Sequence, residues 1–283
     1  MSVASLCRRY HVTASGFYAS MRRGESAHVT QDRQLTVAIK LLFARHERRY
    51  GSPRLHRELQ NAGWYVSRRR VARLMHCAGL RAKAVLGYRA HVTLRHLYGR
   101  HPNRLWTTTA TAPNQIWVGD ITYLRAGSTW SYLAIVMDQY SRRILAWTLT
   151  PRRTSSVICV VLARAAMGRP TAGVIFHSDR GSEYMGTPFC TRVAALGMQQ
   201  SANVRGPSDN AESFFHSLKT ECIRGEHFAT VDALRAQLHR YLRYYNTTRL
   251  HSRLAYQSPL AFERRTAYNQ VSTKVEQHPK ELR

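Results

Sequence analysis

Acidic residues are scarce in this 283-residue chain, where 16 Asp and Glu stand against 43 Lys and Arg, a formal net charge of +27. Such an excess destabilises a compact state by self-repulsion unless a polyanion neutralises it, and the commonest polyanion is nucleic acid. Charge alone leaves open a basic protein that binds nucleic acid without acting on it. Cysteines are few as well. Cys7, Cys77, Cys159, Cys190 and Cys222 are far apart, odd in number and form no CxxC pair. That argues against zinc and against a disulfide framework, and leaves buried thiols in a reducing compartment. No apolar run reaches the ~18 residues of a membrane span, and the N-terminus lacks the apolar centre of a signal peptide. A soluble, cytosolic protein with no membrane partner is expected.

Where acids are this rare, one set inside an apolar run stands out. Gln115 to Tyr123 reads Gln-Ile-Trp-Val-Gly-Asp-Ile-Thr-Tyr, with Asp120 in its middle. Alternation along a strand puts Val118, Asp120 and Thr122 on one face and Trp117, Ile121 and Tyr123 on the other. A buried carboxylate costs several kcal/mol unless it is paired or metal-bound, so Asp120 is a functional candidate.

Taken in order, residues 1–30 read as a partial helix-turn-helix-like segment (Leu6 to Tyr10, then Ala14 to Met21 capped by Thr13) and a charged linker from Arg22 to Arg33. Residues 31–82 read as a helical, DNA-binding-like domain. Its helices run from Leu35 to His46, from an N-cap at Ser52 and Pro53 to Gly63, and from Arg68 to Ala78 behind Ser67, the last turning Arg68, Arg69, Arg70 and Arg73 outward, to DNA or simply to solvent. Residues 83–113 form a basic linker. From 114 to 265 the pattern switches to strands. Three strands joined by short turns make a meander, and an apolar helix leads to a fourth strand, Gly173 to Ser178, that ends at Asp179. A further helix, a short strand near Met198, a Gly-Pro loop, a helix from Asn210 to Ile223 and an amphipathic helix from Val231 to Tyr245 follow. Residues 266–283 are a basic tail.

This order outlines an α/β, ribonuclease-H-like core with a mixed five-stranded sheet. In that topology the middle of the first strand lies beside the end of the fourth, which brings Asp120 to Asp179. Glu212 would supply a third acid from a later helix. Such an oxygen-only set suits two Mg²⁺ ions ~3.5–4 Å apart, an arrangement used in phosphodiester chemistry. Asp209-Asn-Ala-Glu also fits a capping box, so Glu212 acting only as a cap stays open. At ~100° per residue, Glu212, His216 and Lys219 share one polar stripe, which would turn His216 and Lys219 toward DNA, with a solvated surface lysine the equal alternative for Lys219. Among the other acids, Asp138 reads as a turn residue, Glu183 as a group supporting Asp179, and Glu221 as too far along its helix. His177 points to the opposite face.

Several ordered blocks carry a family resemblance: Trp117-Val-Gly-Asp-Ile-Thr-Tyr, Asp138-Gln-Tyr-Ser-Arg-Arg, His177-Ser-Asp-Arg-Gly-Ser-Glu-Tyr, Asp209-Asn-Ala-Glu-Ser-Phe-Phe with Leu218-Lys-Thr-Glu, and Tyr244-Tyr-Asn-Thr-Thr-Arg-Leu-His. They resemble bacterial insertion-sequence transposases, and within these the second-reading-frame (OrfB) product with a retroviral-integrase-like core. The resemblance implies a DDE recombinase in which Asp120, Asp179 and Glu212 hold two Mg²⁺ or Mn²⁺ ions. Such an enzyme cuts at an element's ends and directs the freed 3′-OH at another phosphodiester. It implies double-stranded DNA as partner, at element ends and target, with Arg249 among the DNA contacts. It also implies a homo-multimer on DNA, fusion with an upstream-frame helix-turn-helix protein, and a place on the bacterial nucleoid. The 32 residues between Asp179 and Glu212 are a few short of the family's usual spacing, and Glu183 is unusual at its place. The deficit is assigned to the loop at Gly206-Pro207. A degenerate DNA-binding regulator and a nuclease that cuts without joining remain open alternatives.

Overall fold

The computed structural model describes residues 2–22, 25–83, 102–202 and 209–266. The chain divides into two compact units, Met1–Lys83 and Ala84–Arg283.

The first unit is helical: α1 (Val3–Arg9), α2 (Ala14–Arg22), α3 (Ala27–Arg45), α4 (Ser52–Asn61) and α5 (Arg68–Cys77). Leu35, Ile39 and Phe43 of α3 close on Leu55 and Leu59 of α4 and on Val71, Leu74 and Met75 of α5, all buried. Two expectations change here. Most of the expected linker is helix, because Ser26 caps α3 by accepting the Val29 amide and Arg33 pairs with Glu25. Asp32, one turn in, receives Arg70 Nε at 2.7 Å and Arg73 Nη2 at 2.6 Å from α5. In α4 the cap is Gly51 rather than Ser52, with Pro53 in the first turn.

The second unit is built on β1 (Ile116–Ala126), β2 (Thr129–Asp138), β3 (Ile144–Thr150), β4 (Ile175–Ser178) and β5 (Gln199–Ala202). The sheet order is β3-β2-β1-β4-β5, with β1, β2 and β3 antiparallel and β4 and β5 parallel to β1. This is a ribonuclease-H-like sheet. Alternation sorts the side chains as strand geometry requires. Trp117, Ala134 and Phe176 pack under α6 (Ser155–Ala166), α7 (Ser182–Met185) and α8 (Thr187–Ala195). Val118, Leu133, Ile135 and Leu149 pack under α9 (Asp209–Leu218) and α10 (Val231–Thr247).

β4 is only four residues long. It pairs with β1 through Ile116, Trp117 and Val118 and no further. From Gly119 onward β1 therefore has no strand partner on that edge among the described residues. No described helix is long and apolar enough to cross a membrane. The linker over 84–101, the loop over 203–208 that includes Gly206-Pro207, and the tail over 267–283 lie outside the described residues, as do the Asp209 and Asn210 side chains. Residues 259–266 form a further helix at the end of this unit.

Candidate active site

Asp120 stands where β1 loses its neighbour. Gly119 before it is forced by packing, since a Cβ there would come within 2.5 Å of Phe176 Cζ and 3.2 Å of Tyr184 Cε1. The Asp120 carboxylate accepts the Ile121 amide at 2.7 Å. Burial pushes its pKa up to about 7, with further upward pressure from Asp179, Glu212 and Glu183 and opposition from the Ile121 bond. Asp179 follows β4 and Glu183 stands four residues on in α7, while Glu212 comes from α9.

Asp179 takes the Gly181 amide at 2.9 Å. A Cβ on Gly181 would run into Glu183 Oε1 and lie 2.9 Å from Asp179 Oδ1. The bare glycine thus leaves a small cradle between two carboxylates. Glu183 is buried, receives Ser182 Oγ at 3.3 Å and pairs with Arg153 Nε at 3.3 Å. Tyr184 is buried beneath the acids, and its hydroxyl has no hydrogen-bond partner among the described residues. Its phenol is held well above the ordinary range by burial, then by Asp120, Asp179 and Glu183.

Glu212 is placed by the core face of α9. Ala211, Phe214, Phe215 and Leu218 are buried against Val118 and Leu124. Each such phenylalanine stabilises by roughly 1.5–3 kcal/mol, enough to fix the helix's rotation and leave Glu212 on its rim. After Leu218 the helix widens into a π-helical turn, Lys219–Ile223, so the uniform phase expected through Ile223 stops there. Lys219 is partly buried and its Nζ lies 5.1 Å from the Tyr123 ring centroid. Burial lowers its pKa, and the Asp120 charge opposes that. His216 is also partly buried, and its shielded Nε2 finds no partner among the described residues.

Three expected contacts change. Arg249 is buried rather than presented to DNA, because Glu221 takes both of its prongs, Nη2 to Oε1 at 2.6 Å and Nε to Oε2 at 2.8 Å. Tyr241 adds its hydroxyl to Glu221 at 3.0 Å, and Arg249 Nη2 also reaches Ser217 Oγ at 3.3 Å. Burial works against the Arg249 charge, and Glu221 outweighs it, so the guanidinium's pKa is raised. Arg70 is partly buried on Asp32 and Arg73 shares that carboxylate, while Arg68 and Arg69 stay exposed. Asp138 bonds the backbone as expected, accepting the amides of Ser141 and Asn114 at 2.7 Å each. His177 is buried on the sheet and bonds Ser201 Oγ at 2.9 Å, and burial pushes its pKa down to about 4. Sequence reasoning missed the Glu221–Arg249 clamp and the Arg153–Glu183 pair. Each joins residues distant in the chain, and neither leaves a local signal in the sequence.

The donor chemistry is hard, all-oxygen and crowded with negative charge, which suits Mg²⁺ or Mn²⁺. No three His, Cys, Asp or Glu side chains among the described residues stand close enough to cage one ion. Magnesium does not demand such a cage, since it takes one or two carboxylates and fills its shell with water and substrate phosphate.

Family models and curated relatives agree with this architecture. Models of the integrase core domain match residues 110–208 and 212–266, and an HTH-like domain matches residues 30–86. The transposase InsF for insertion sequence IS3fB of Escherichia coli (strain K12) is 37% identical over 281 residues, 93% of this chain and 94% of that one. The transposase for insertion sequence element IS904 of Lactococcus lactis subsp. lactis (strain IL1403) is 35% identical over 251 residues, 86% of this chain and 99% of that one. Among solved structures, the HTLV-2 integrase catalytic core domain in complex with magnesium has a TM-score of 0.41 at 16% identity, covering 55% of this chain and 99% of that one. The simian T-cell lymphotropic virus intasome in complex with PP2A regulatory subunit B56 gamma has a TM-score of 0.46 at 19% identity, covering 80% and 74%.

Proposed function

The chain belongs to the insertion-sequence transposase family, and from that premise we propose that Asp120, Asp179 and Glu212 are its catalytic carboxylates, holding two divalent ions, Mg²⁺ or Mn²⁺. The observation that supports this reading most is the field at Asp120, where burial combines with the charges of Asp179, Glu212 and Glu183. Carboxylates gathered and buried in this way take up a proton or a cation, and a bound divalent ion would answer the same field. Bound metal would supply Lewis-acid activation of the attacking water or 3′-OH and stabilise the leaving oxygen. The protein's part is placement. β1 presents Asp120 at the open edge, the Gly181 turn orients Asp179 by its own amide, and the core face of α9 sets Glu212. Lys219, at the same edge, meets a non-bridging phosphate oxygen of the DNA. Arg153 tempers Glu183 so that four acids do not face one another uncompensated.

In this reading the substrates are the element's ends and a target duplex, bridged by a multimer on the nucleoid, with an upstream-frame helix-turn-helix protein as a fusion partner. The test is metal-dependent strand transfer on the element's own terminal DNA. Asp120→Asn, Asp179→Asn and Glu212→Gln should each abolish joined product while the chain remains folded and bound. DNA binding that needs no metal and yields no product in the parent chain would instead identify a regulator, the outcome the short Asp179–Glu212 spacing would favour. Cutting without joining would identify a nuclease.

A further inference from the structure

The uncovered stretch of β1 carries more than carboxylates. Tyr123 and Trp130 are large aromatics left 58% and 51% exposed. Tyr123 pairs with Tyr132 and Arg125 with Trp130 across the β1–β2 hairpin, which sets Tyr123, Arg125 and Trp130 on one face. The two rings meet edge to face, with centroids 5.3 Å apart and planes at 73°. Arg125 lies 5.9 Å from the Trp130 ring, and Lys219 lies 5.1 Å from the Tyr123 ring. Lys219 comes from the helical layer over the opposite face, so its ammonium meets Tyr123 at the edge that β4 leaves open.

Packing does not account for this cluster, since both rings keep about half their surface in water, where their area contributes little to stability. Alternating aromatic faces and cations beside a phosphodiester site are what single-stranded nucleic acid uses: rings take bases, cations take phosphates. A base inside a duplex already has both faces stacked, so only an unpaired base can use the rings. Tyr123 is three residues along the strand from Asp120, about 10 Å between backbones, and alternation turns its ring to the other sheet face, so a DNA strand reaches both by passing over the edge that β4 leaves open. A stacked DNA strand advances about 3.4 Å per nucleotide and an unpaired one spans more, so the rings lie within a few nucleotides of the carboxylates.

We propose that Tyr123 and Trp130 form a stacking platform for unpaired DNA bases within a few nucleotides of the reacting phosphodiester, with Lys219 and Arg125 on the flanking phosphates. The proposal deepens the transposase reading and rests on it for the position of that phosphodiester. The probes are a blunt DNA duplex and the same duplex with a three-nucleotide single-stranded overhang carrying 2-aminopurine, bound in the presence of EDTA so that no chemistry intervenes. The parent chain should bind the overhang duplex about fivefold or more tightly than the blunt one and quench the 2-aminopurine. Tyr123→Leu with Trp130→Leu should erase both effects and leave blunt-duplex affinity unchanged. Tyr123→Phe with Trp130→Phe should retain them. A parent chain with no overhang preference, or Leu variants that keep it, would overturn the platform. Strand transfer by the same preparations separates the two readings. Joined product without overhang preference sinks the platform alone, and overhang preference with no joined product sinks the catalytic assignment alone.

Discussion

Glu221 and Arg249 are locked together as a buried two-pronged ion pair, joining the π-helical turn after α9 to the segment just past α10. Tyr241 and Ser217 complete the arrangement from α10 and α9. Glu212 is therefore anchored from the C-terminal side of its helix, by a clamp that begins five residues after it with Ser217. The loop before α9 need not be the element that delivers Glu212. Its length can vary so long as the clamp and the phenylalanine face hold.

Arg249→Ala should accordingly be a stability variant. Removing one partner of a buried pair strands the other charge, at about 3–5 kcal/mol. Denaturant unfolding of the second unit should move to lower midpoint, and Arg249→Lys should restore only part, because an ammonium cannot make both prongs. Unchanged stability with a uniform loss of DNA affinity would return Arg249 to the DNA surface.

Gly119→Ala tests the packing beside Asp120. The added methyl overlaps Phe176, and overpacking of this kind costs about 1–3 kcal/mol. Phe176→Leu in the same chain should recover part of the loss. Additive effects of the two substitutions, measured by unfolding, would show that the ring is not what excludes a side chain there.

In the first unit, Asp32 gives a pH dependence with a defined sign. The hydrogen bond from Arg73 holds its carboxyl below the ordinary value of 3.8; burial opposes this, and Arg70 reinforces it. A lowered folded-state pKa means that the α3–α5 tie is fully present above the ordinary carboxylate pKa and is lost as pH falls through the folded value. Amide-exchange protection in α3 and α5 should fall with acid in the parent chain. Asp32→Asn should show reduced protection at neutral pH and converge with the parent at low pH.

Arg68 and Arg69 are exposed on α5, whereas Arg70 and Arg73 are engaged with Asp32. If α5 lies on DNA, Arg68→Ala and Arg69→Ala should each weaken binding across all sequences and reduce the slope of log affinity against log salt by about one. Arg70→Ala should instead loosen α3 against α5. A salt slope unmoved by either exposed substitution would remove α5 from the DNA contacts.

Strand alternation made the sheet legible in the sequence, and with it the neighbourhood of Asp120 and Asp179, because period two in apolar residues is a local property. The rim of α9 that carries Glu212 and His216 was legible too, because helical spacing is likewise a local property. What escaped depends on partners far away in the chain. The first turns of α3 are polar, and they look like a linker until Asp32 is seen to serve two arginines from α5. Arg249 looks like any surface cation until Glu221 is found opposite it. The widening of the helix at Lys219 has no period of its own, and it shows only once the clamp holds Glu221 in place.

The shortness of β4 has one more consequence. Among the described residues, β1 from Gly119 to Ala126 has no strand alongside it on that edge, the geometry on which sheets of separate molecules grow into one another. Asp120 sits in that edge and Lys219 reaches across it, and charges at an edge are what discourage a foreign strand from docking. The residues assigned to chemistry therefore also guard solubility. Variants neutralised at this edge should be handled as aggregation-prone before they are judged inactive.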